Sequence, residues 1–516
     1  MTLKHTPLDE IGKIHARLRA TFDSGKTLPL AYRRQQLLQL ARMVQQNAHA
    51  FEDALWREFR KQPLEIAMVD LSPVVSAALY AAENLKRWAG VEGVEGADGV
   101  QGEEEVRQDE LAHREDSGKH WHTTIHKQPK GLVVNISPWN YPIILSLSPL
   151  VGAIAAGCTA ILKPSEHTPL VSALLDELFP RYLDPDAYAV VNGGVEETGC
   201  LLGLKFDHIF FTGSTHVGRI VAKAAAKQLT TVTLELGGKS PVFVDAAHTD
   251  LDLAARRILW GRQVCAGQVC VSPDYVLVPR AHQDAFVDAV KRAYEEFWPS
   301  RRNEEFWPSR RRDGTTTATY PTLSGVHPTA RSRINALVRD TRGEVVAGDA
   351  NGDGNGNATS GDGEWAEDPI LAPTIVRDVG LGDALMKGEI FGPILPIVPV
   401  DDASPSAKED TANRHQDNKG DCVTAAIHII NSHPAPLVIY VFTERESVRE
   451  RFLHSTRSGT LVLNDCLQQL AVYEMPFGGV GESGSGSWFG KATFDTFTDL
   501  RRVHGLATSS RICDAS

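Results

Sequence analysis

Three short stretches of this chain bring together side chains that could bind or react. Phe210 to Gly218 reads FFTGSTHVG between a predicted strand and a predicted helix. Gly213 permits a tight turn there, and Ser214 opens a helix whose free N–H groups and positive dipole end suit a phosphate. Lys163 to Pro169, KPSEHTP, ends a neighbouring strand of the same predicted sheet. Lys163 and Glu166 would then stand at the carboxyl edge, where α/β sheets bind ligands and where a lysine and a carboxylate can hold ribose hydroxyls. Taken singly, these signals are weak. Gly-Ser turns are common, a GxGxxG fingerprint is missing, and a lone Lys or Glu is more often a solvated surface charge. The third stretch, VCAGQVC, carries Cys265 and Cys270. A thiolate is the strongest side-chain nucleophile near neutral pH. Read alone, however, Cys270 is as readily a buried structural thiol, and Glu235 upstream as readily a strand-end charge. A redox or metal pair at 265 and 270 lacks support, because no second Cys/His cluster has zinc spacing.

The elements that must position these residues follow from the apolar pattern. Leu37, Leu40, Ala41 and Val44, then Phe51, Leu55 and Phe59, repeat at helical spacing and predict two N-terminal helices over 30–60. From 131 onward strands and helices alternate: GLVVNI, a helix over 144–156, TAILK, a helix over 168–179, YAVV, a helix over 196–203, HIFF, a helix over 215–228, and VTLEL. Apolar strands alternating with helices predict a parallel sheet covered on both faces. Gly131 to Leu162 has no charged side chain and enough length for a bilayer, but Pro138, Pro142, Pro149 and the polar Asn135 and Asn140 break it. It reads as a strand, loop, helix and strand buried together. His120-Trp121-His122 alternates like a strand and predicts a β-hairpin. Residues 92–118, 346–364 and 402–421 are too polar to bury and read as inserted loops. EEFWPSRR occurs twice in tandem within 295–311, as a local duplication rather than a structural period.

Composition narrows the class. With 516 residues, 42% of them hydrophobic and 23% charged, the chain can form two or three domains with sizeable cores. A formal net charge of −12 provides no basic stripe, which argues against nucleic acid and anionic lipid as partners. Seven cysteines, odd in number and without framework spacing, point to free thiols in a reducing compartment. The N-terminal MTLKHTPLDEIGKI lacks the apolar core of a signal peptide, and RRVHGLATSSRICDAS carries no anchor or peroxisomal tripeptide. A cytoplasmic protein without an integral membrane anchor is expected.

PWNYP (138–142), KPSE (163–166), FTGST (211–215), LELGGK (234–239), GQVC (267–270), EIFGP (389–393) and PFGGVGESG (476–484) together carry a far more specific signal. In this order they resemble the aldehyde dehydrogenases over nearly the whole chain outside the insertions. VCVSPDYVLV and PFGGVGESGSG look most like the class 3 and fatty-aldehyde branch. The resemblance makes Cys270 the nucleophile and Glu235 the general base that hydrolyses the thioester. It assigns the oxyanion to the Asn140 side chain and the Cys270 backbone N–H. By the same match, Glu389 and Phe391 would bind the nicotinamide ribose and pack beside its ring. Gly213 and Ser214 would meet the pyrophosphate, and Trp139, Lys163 and Glu166 would complete the cofactor site. No metal is implied.

The resemblance has departures. Cys265 stands where the family commonly has Asn, and Trp488-Phe489 replaces an aromatic-His pair, with consequences expected at the substrate mouth or a subunit contact. One extra residue between Glu235 and Cys270 falls in AAHTD (246–250).

The fold class expected is α/β. A Rossmann-like dinucleotide-binding domain would comprise 1–118 and 131–234, a second α/β catalytic domain 235–454, and a small β oligomerisation arm with the C-terminal tail 119–130 and 455–516. The function implied is NAD- or NADP-dependent oxidation of a medium- or long-chain, apolar aldehyde by a homodimer. An acylating dehydrogenase or semialdehyde reductase typically lacks the hydrolytic Glu. A catalytically silent relative should have lost Cys270, Glu235 or Asn140.

Overall fold

The computed structural model of the chain describes residues 3–90, 92–93, 121–298, 324–348, 370–402 and 421–506. In chain order its strands are β1 (Glu92–Gly93), β2 (Trp121–Pro129), β3 (Leu132–Ile136), β4 (Thr159–Lys163), β5 (Tyr188–Val190), β6 (His208–Gly213), β7 (Thr231–Leu236) and β8 (Pro241–Val244). They continue as β9 (Tyr275–Pro279), β10 (Glu344–Ala347), β11 (Thr374–Arg377), β12 (Ile394–Val400), β13 (Val438–Phe442), β14 (Thr460–Leu463), β15 (Gly484–Ser485) and β16 (Thr498–Leu506).

A six-stranded sheet runs β15-β7-β6-β3-β4-β5, parallel except for the two-residue β15. Both faces of β3 and β4 are buried, which is why these strands read as unbroken apolar runs. Helices Ile144–Ala156, Pro169–Tyr182, Val195–Gly203 and Thr215–Ala226 supply the crossovers, close to the ranges the periodicity predicts. The chain steps from β3 outward to β5, then returns to lay β6 on the other side of β3. Strand order therefore reverses between β3 and β6, opening a crevice at their carboxyl ends. PWNYP leaves β3 there, and Gly213-Ser214 ends β6 there.

A seven-stranded sheet runs β10-β11-β12-β9-β8-β13-β14, with only β10 antiparallel. The segment LELGGK links the carboxyl end of β7 in the first sheet to the amino end of β8 in the second. The loops bearing Cys270 and Glu389 lead into the amino ends of β9, which neighbours β8, and of β12, which neighbours β9. The site residues thus collect where the carboxyl edge of one sheet meets the amino edge of the other.

The third sheet, β1-β2-β16, differs from expectation. β2 finds its main partner not in a local hairpin but in β16, from Thr498↔Pro129 through Leu506↔Trp121. Residues 455–516 are likewise not confined to the arm: β14 closes the seven-stranded sheet, β15 joins the six-stranded one, and only β16 enters the arm. Trp488 and Phe489 are buried against Phe477 and Phe210 rather than standing at a mouth, because an aromatic pair there fills the core beside β6. The stretch 246–250, where the extra residue is expected, contains the short turn Ala246–His248. Most of the three inserted stretches and of the EEFWPSRR duplication lies outside the described residues; where their ends are described, Glu92–Gly93 form β1 and Val346–Ala347 finish β10, strand where loop is expected.

The N-terminal helices Leu30–Gln46 and Ala48–Phe59 form as predicted, and their apolar stripes enter the largest core cluster. Pro63–Trp88 is, among the described residues, the one helical run long and apolar enough to cross a membrane, with mean hydropathy 1.5. Val74, Ala77, Ala78, Ala81, Leu85 and Trp88 on this run are core residues of the fold, and it also carries the buried Asp70.

Candidate active site

The loop that carries Cys270 begins where helix Leu251–Gln263 ends. Cys265, Ala266 and Gly267 follow with φ of 50°, 52° and 73°. Left-handed backbone costs L-residues about 1–3 kcal/mol each and persists only where the surroundings enforce it. Glu65 accepts the Cys265 N–H at 3.1 Å. Gln268 Nε2 donates to the carbonyls of Cys265 (2.9 Å) and Gly325 (3.1 Å), while its Oε1 accepts the His327 N–H at 2.8 Å. Beyond the thiol, the Tyr440 hydroxyl donates to the Val271 carbonyl at 2.6 Å. Cys270 itself is half-buried, a free thiol in a loop held on both sides.

Glu235 projects from the carboxyl end of β7, where Gly484 of β15 pairs with its backbone. Its side chain is buried, and neither carboxylate oxygen has a hydrogen-bond partner among the described residues. Burial pushes its pKa up to about 7, and the nearby Cys270 thiol opposes that slightly, without a hydrogen bond of ordinary geometry. Burial, then the charges of Glu235 and Glu389, hold the Cys270 thiol well above the usual thiol range. The resting pair is therefore a neutral thiol beside a carboxyl group that changes protonation state near neutrality. Asn140 is buried and its Nδ2 donates to the Gln268 carbonyl at 2.9 Å, two residues before Cys270. An amide nitrogen carries two hydrogens, so one remains for another acceptor. The structure thus brings Cys270, Glu235 and Asn140 together around one loop.

Around them, Lys163 Nζ pairs with Glu166 at 2.7 Å at the end of β4. Ser214 is exposed and caps helix Thr215–Ala226, its side chain accepting the Val217 N–H at 3.4 Å. Gly213 has no positive φ; a Cβ there would lie 2.6 Å from the tip of the Phe211 ring, which would have to shift, and this crowding replaces the tight-turn explanation. Phe391 adopts φ 47° and meets Trp139 edge-on, with ring centroids 5.6 Å apart. Glu389 is half-buried against Gly237 and Gly238, and burial together with Asp274 pushes its carboxyl up to about 8. These groups line the crevice between β3, β4 and β6 and its continuation to the thiol. A phosphate at the Ser214 helix end and a ribose at Lys163 and Glu166 fit the donors and acceptors present.

Several positioning groups went unnoticed in the sequence. Asp274, buried, accepts from Lys239 Nζ at 2.6 Å, Arg262 Nη1 at 3.2 Å and the Ile390 N–H at 3.0 Å. One carboxylate therefore ties the thiol loop to the EIFGP loop. Lys239 and Asp274 sit inside quoted motifs, LELGGK and VCVSPDYVLV, so a signal existed; for Arg262 none did. His327 lies 4.7 Å from the Trp139 ring and is buried, which lowers its pKa to about 4 and keeps it neutral. No group of three or more His, Cys, Asp or Glu able to hold a metal occurs among the described residues.

Comparison with known proteins gives the family. The model of the aldehyde dehydrogenase family matches residues 2–503. Relatives include aldehyde dehydrogenase family 3 member A2 of Rattus norvegicus, 37% identical over 94% of this chain and 86% of that protein. The dimeric NADP-preferring aldehyde dehydrogenase of Canis lupus familiaris is 35% identical over 96% and 94%. Among solved structures, the substrate-bound state of Staphylococcus aureus AldH superposes with a TM-score of 0.80 at 31% identity, covering 97% of this chain and 95% of that one. A Mycobacterium tuberculosis aldehyde dehydrogenase complexed with NAD+ shares the fold at 24% identity, with a TM-score of 0.75 and coverage of 97% and 91%. The chain belongs to the aldehyde dehydrogenase family and is an NAD(P)-dependent enzyme of that family.

The raised pKa of Glu235 makes a stability statement. A carboxyl that holds its proton more tightly in the folded state stabilises the fold below its unfolded pKa, and that contribution is lost as pH rises through about 7. Glu235→Gln should therefore gain stability relative to the parent, by up to about 3 kcal/mol, as pH rises from 5 to 8. Paired thermal melts across that range would show it; a difference independent of pH would mean that the carboxyl titrates normally.

Proposed function

We propose that the enzyme oxidises medium- or long-chain, otherwise apolar aldehydes to carboxylic acids through a covalent adduct on Cys270. The observation that carries this reading is the buried, partnerless carboxylate of Glu235 beside the Cys270 thiol. Glu235 takes the thiol proton, and the sulfur adds to the aldehyde carbon to give a thiohemiacetal. Its oxyanion accepts the free Asn140 Nδ2 hydrogen and the Cys270 backbone N–H. When bound, the oxidised nicotinamide dinucleotide supplies the acceptor for the hydride that leaves the adduct carbon. The thioester left on Cys270 needs water. Glu235, having passed the thiol proton to solvent, removes a proton from that water; the hydroxide adds to the thioester carbon, the C–S bond breaks, the acid departs and Glu235 returns its proton to the sulfur. Phe391 against Trp139 would fix one wall of the ring site.

Glu235 also favours hydrolysis over transfer of the acyl group to coenzyme A. An apolar substrate is supported by Leu64 and Met68, 71% and 64% exposed and one helical turn apart, on either side of the Glu65 that bonds to the thiol loop. For the cofactor we propose use of both NAD and NADP, with Glu166 disfavouring a 2′-phosphate. A homodimer is supported by the half-buried strand β14 at an open sheet edge and by Leu500 and Val503, 64% and 41% exposed, on the arm strand β16.

Cys270→Ala should abolish turnover in a folded protein. Glu235→Gln should slow both the loss of the thiol proton and the hydrolysis of the thioester, with steady-state turnover down about a hundredfold or more. Full activity in either variant, or a coenzyme A thioester as product, would defeat this mechanism. Glu166→Gln is expected to raise kcat/KM with NADP relative to NAD by about tenfold, an unchanged ratio excluding the proposed repulsion. Sedimentation analysis should return twice the mass of one chain, and a single-chain mass would exclude the dimer.

A further inference from the structure

The helical run Pro63–Trp88 is not regular. Residues Ile66–Leu71 form a π-helix, a widened turn that recurs at functional sites. Asp70, on this turn, faces inward and has no accessible surface; neither has Lys61. Lys61 Nζ donates to Asp70 Oδ2 at 2.9 Å and to the main-chain carbonyl of Asn140 at 3.1 Å. The ammonium also lies 3.8 Å from the centroid of the Tyr141 ring. The Cys265 thiol donates to the same Asn140 carbonyl at 3.6 Å. Two donors from distant parts of the chain therefore converge on one backbone oxygen.

Stability does not account for such a pair. Removing two charges from water costs several kcal/mol per ion, and well-packed apolar residues of similar volume commonly serve a fold as well or better. Here the desolvation is not even fully compensated, since Asp70 Oδ1 has no partner among the described residues. What the pair supplies is direction. An ammonium held by a carboxylate on one side fixes the atom it grips on the other, and that atom belongs to Asn140. An oxyanion donor works only when held within a fraction of an ångström of where charge develops.

We propose that Lys61, aimed by Asp70 from the π-turn, is a positioning residue that fixes the Asn140 backbone and so the aim of its side-chain amide. The proposal rests on the reading of Asn140 as an oxyanion donor. It touches neither the thiol nor the base: Lys61 acts through the residue whose carbonyl it holds.

A double-mutant cycle on the full chain tests this. The paired substitution Lys61→Met/Asp70→Leu removes both charges together and leaves no unpaired ion behind. It should lower kcat for a medium-chain aldehyde about ten- to a hundredfold, the scale of an ångström-level misplacement. Melting temperature and the rate of Cys270 alkylation by iodoacetamide should stay close to the parent values. In an Asn140→Ala background the same pair should change kcat by less than about twofold, because the group it aims is gone. Losses that multiply in the combined variant, full activity in the paired variant, or slowed alkylation would each overturn the proposal. If Asn140→Ala alone keeps full activity, the oxyanion reading fails as well, which the single variant reveals by itself. Should the paired variant not fold, Asp70→Asn carries the same cycle, with the same outcomes deciding.

Discussion

A carboxylate without a hydrogen-bond partner, set beside a thiol where little water reaches, is the constraint on which the rest of this structure depends. Either group would be more comfortable in solvent. Burial holds the proton on Cys270 and lifts Glu235 toward neutrality, so that each becomes the natural partner of the other. Keeping them there requires a scaffold that neither relaxes nor floods. Sheet supplies most of it: Glu235 ends β7, whose backbone is paired on both sides by β6 and β15. The left-handed turn at Cys265 and Ala266 supplies the remainder, enforced by Glu65 and Gln268.

The same logic explains the concentration of charge behind the site. Asp274, Lys239 and Arg262 form a buried cluster that joins the thiol loop to the EIFGP loop. Lys61 and Asp70 form a second one under Asn140. Buried ion pairs are an inefficient source of stability but a good source of direction, because their geometry is narrow. In both places a pair ends on backbone rather than on another side chain: Asp274 accepts an N–H of Ile390, and Lys61 donates to the carbonyl of Asn140. Flexible loops are thereby tied down by their main chain, and their reactive side chains stay free.

Much of this was legible in the amino-acid order. Strands β3 to β6 and their crossover helices announced themselves because both faces are almost wholly buried and the strands are rich in apolar residues. Cys270, Glu235 and Asn140 were legible only together, through the motif order, since each alone is compatible with a structural role. Contacts between segments far apart in sequence were not. Lys61 reaches Asn140 across 79 positions, and Glu65 reaches Cys265 across 200. No local pattern marks a lysine for such a task, and a π-turn leaves no trace in hydrophobic periodicity. Gly213 shows the converse: the sequence suggests a backbone reason for the glycine, whereas in the fold the Phe211 ring crowds the place a side chain would take. The pairing of β2 with β16 was hidden for the same reason as Lys61, since only the folded chain brings the two together.

The distribution of the last strands has a consequence for how the molecule comes into being. β14, β15 and β16 follow one another in the chain yet complete three different sheets, and β15 lies directly against Glu235. Lys130 and Asp499, joined at 2.6 Å across the arm, are 369 positions apart. Contacts of such separation form late, because loop closure must precede them. The surroundings of Glu235 are therefore complete only when the C-terminal strands dock. A growing chain on the ribosome would hold Cys270 and Glu235 in unfinished surroundings until nearly all of it had been made.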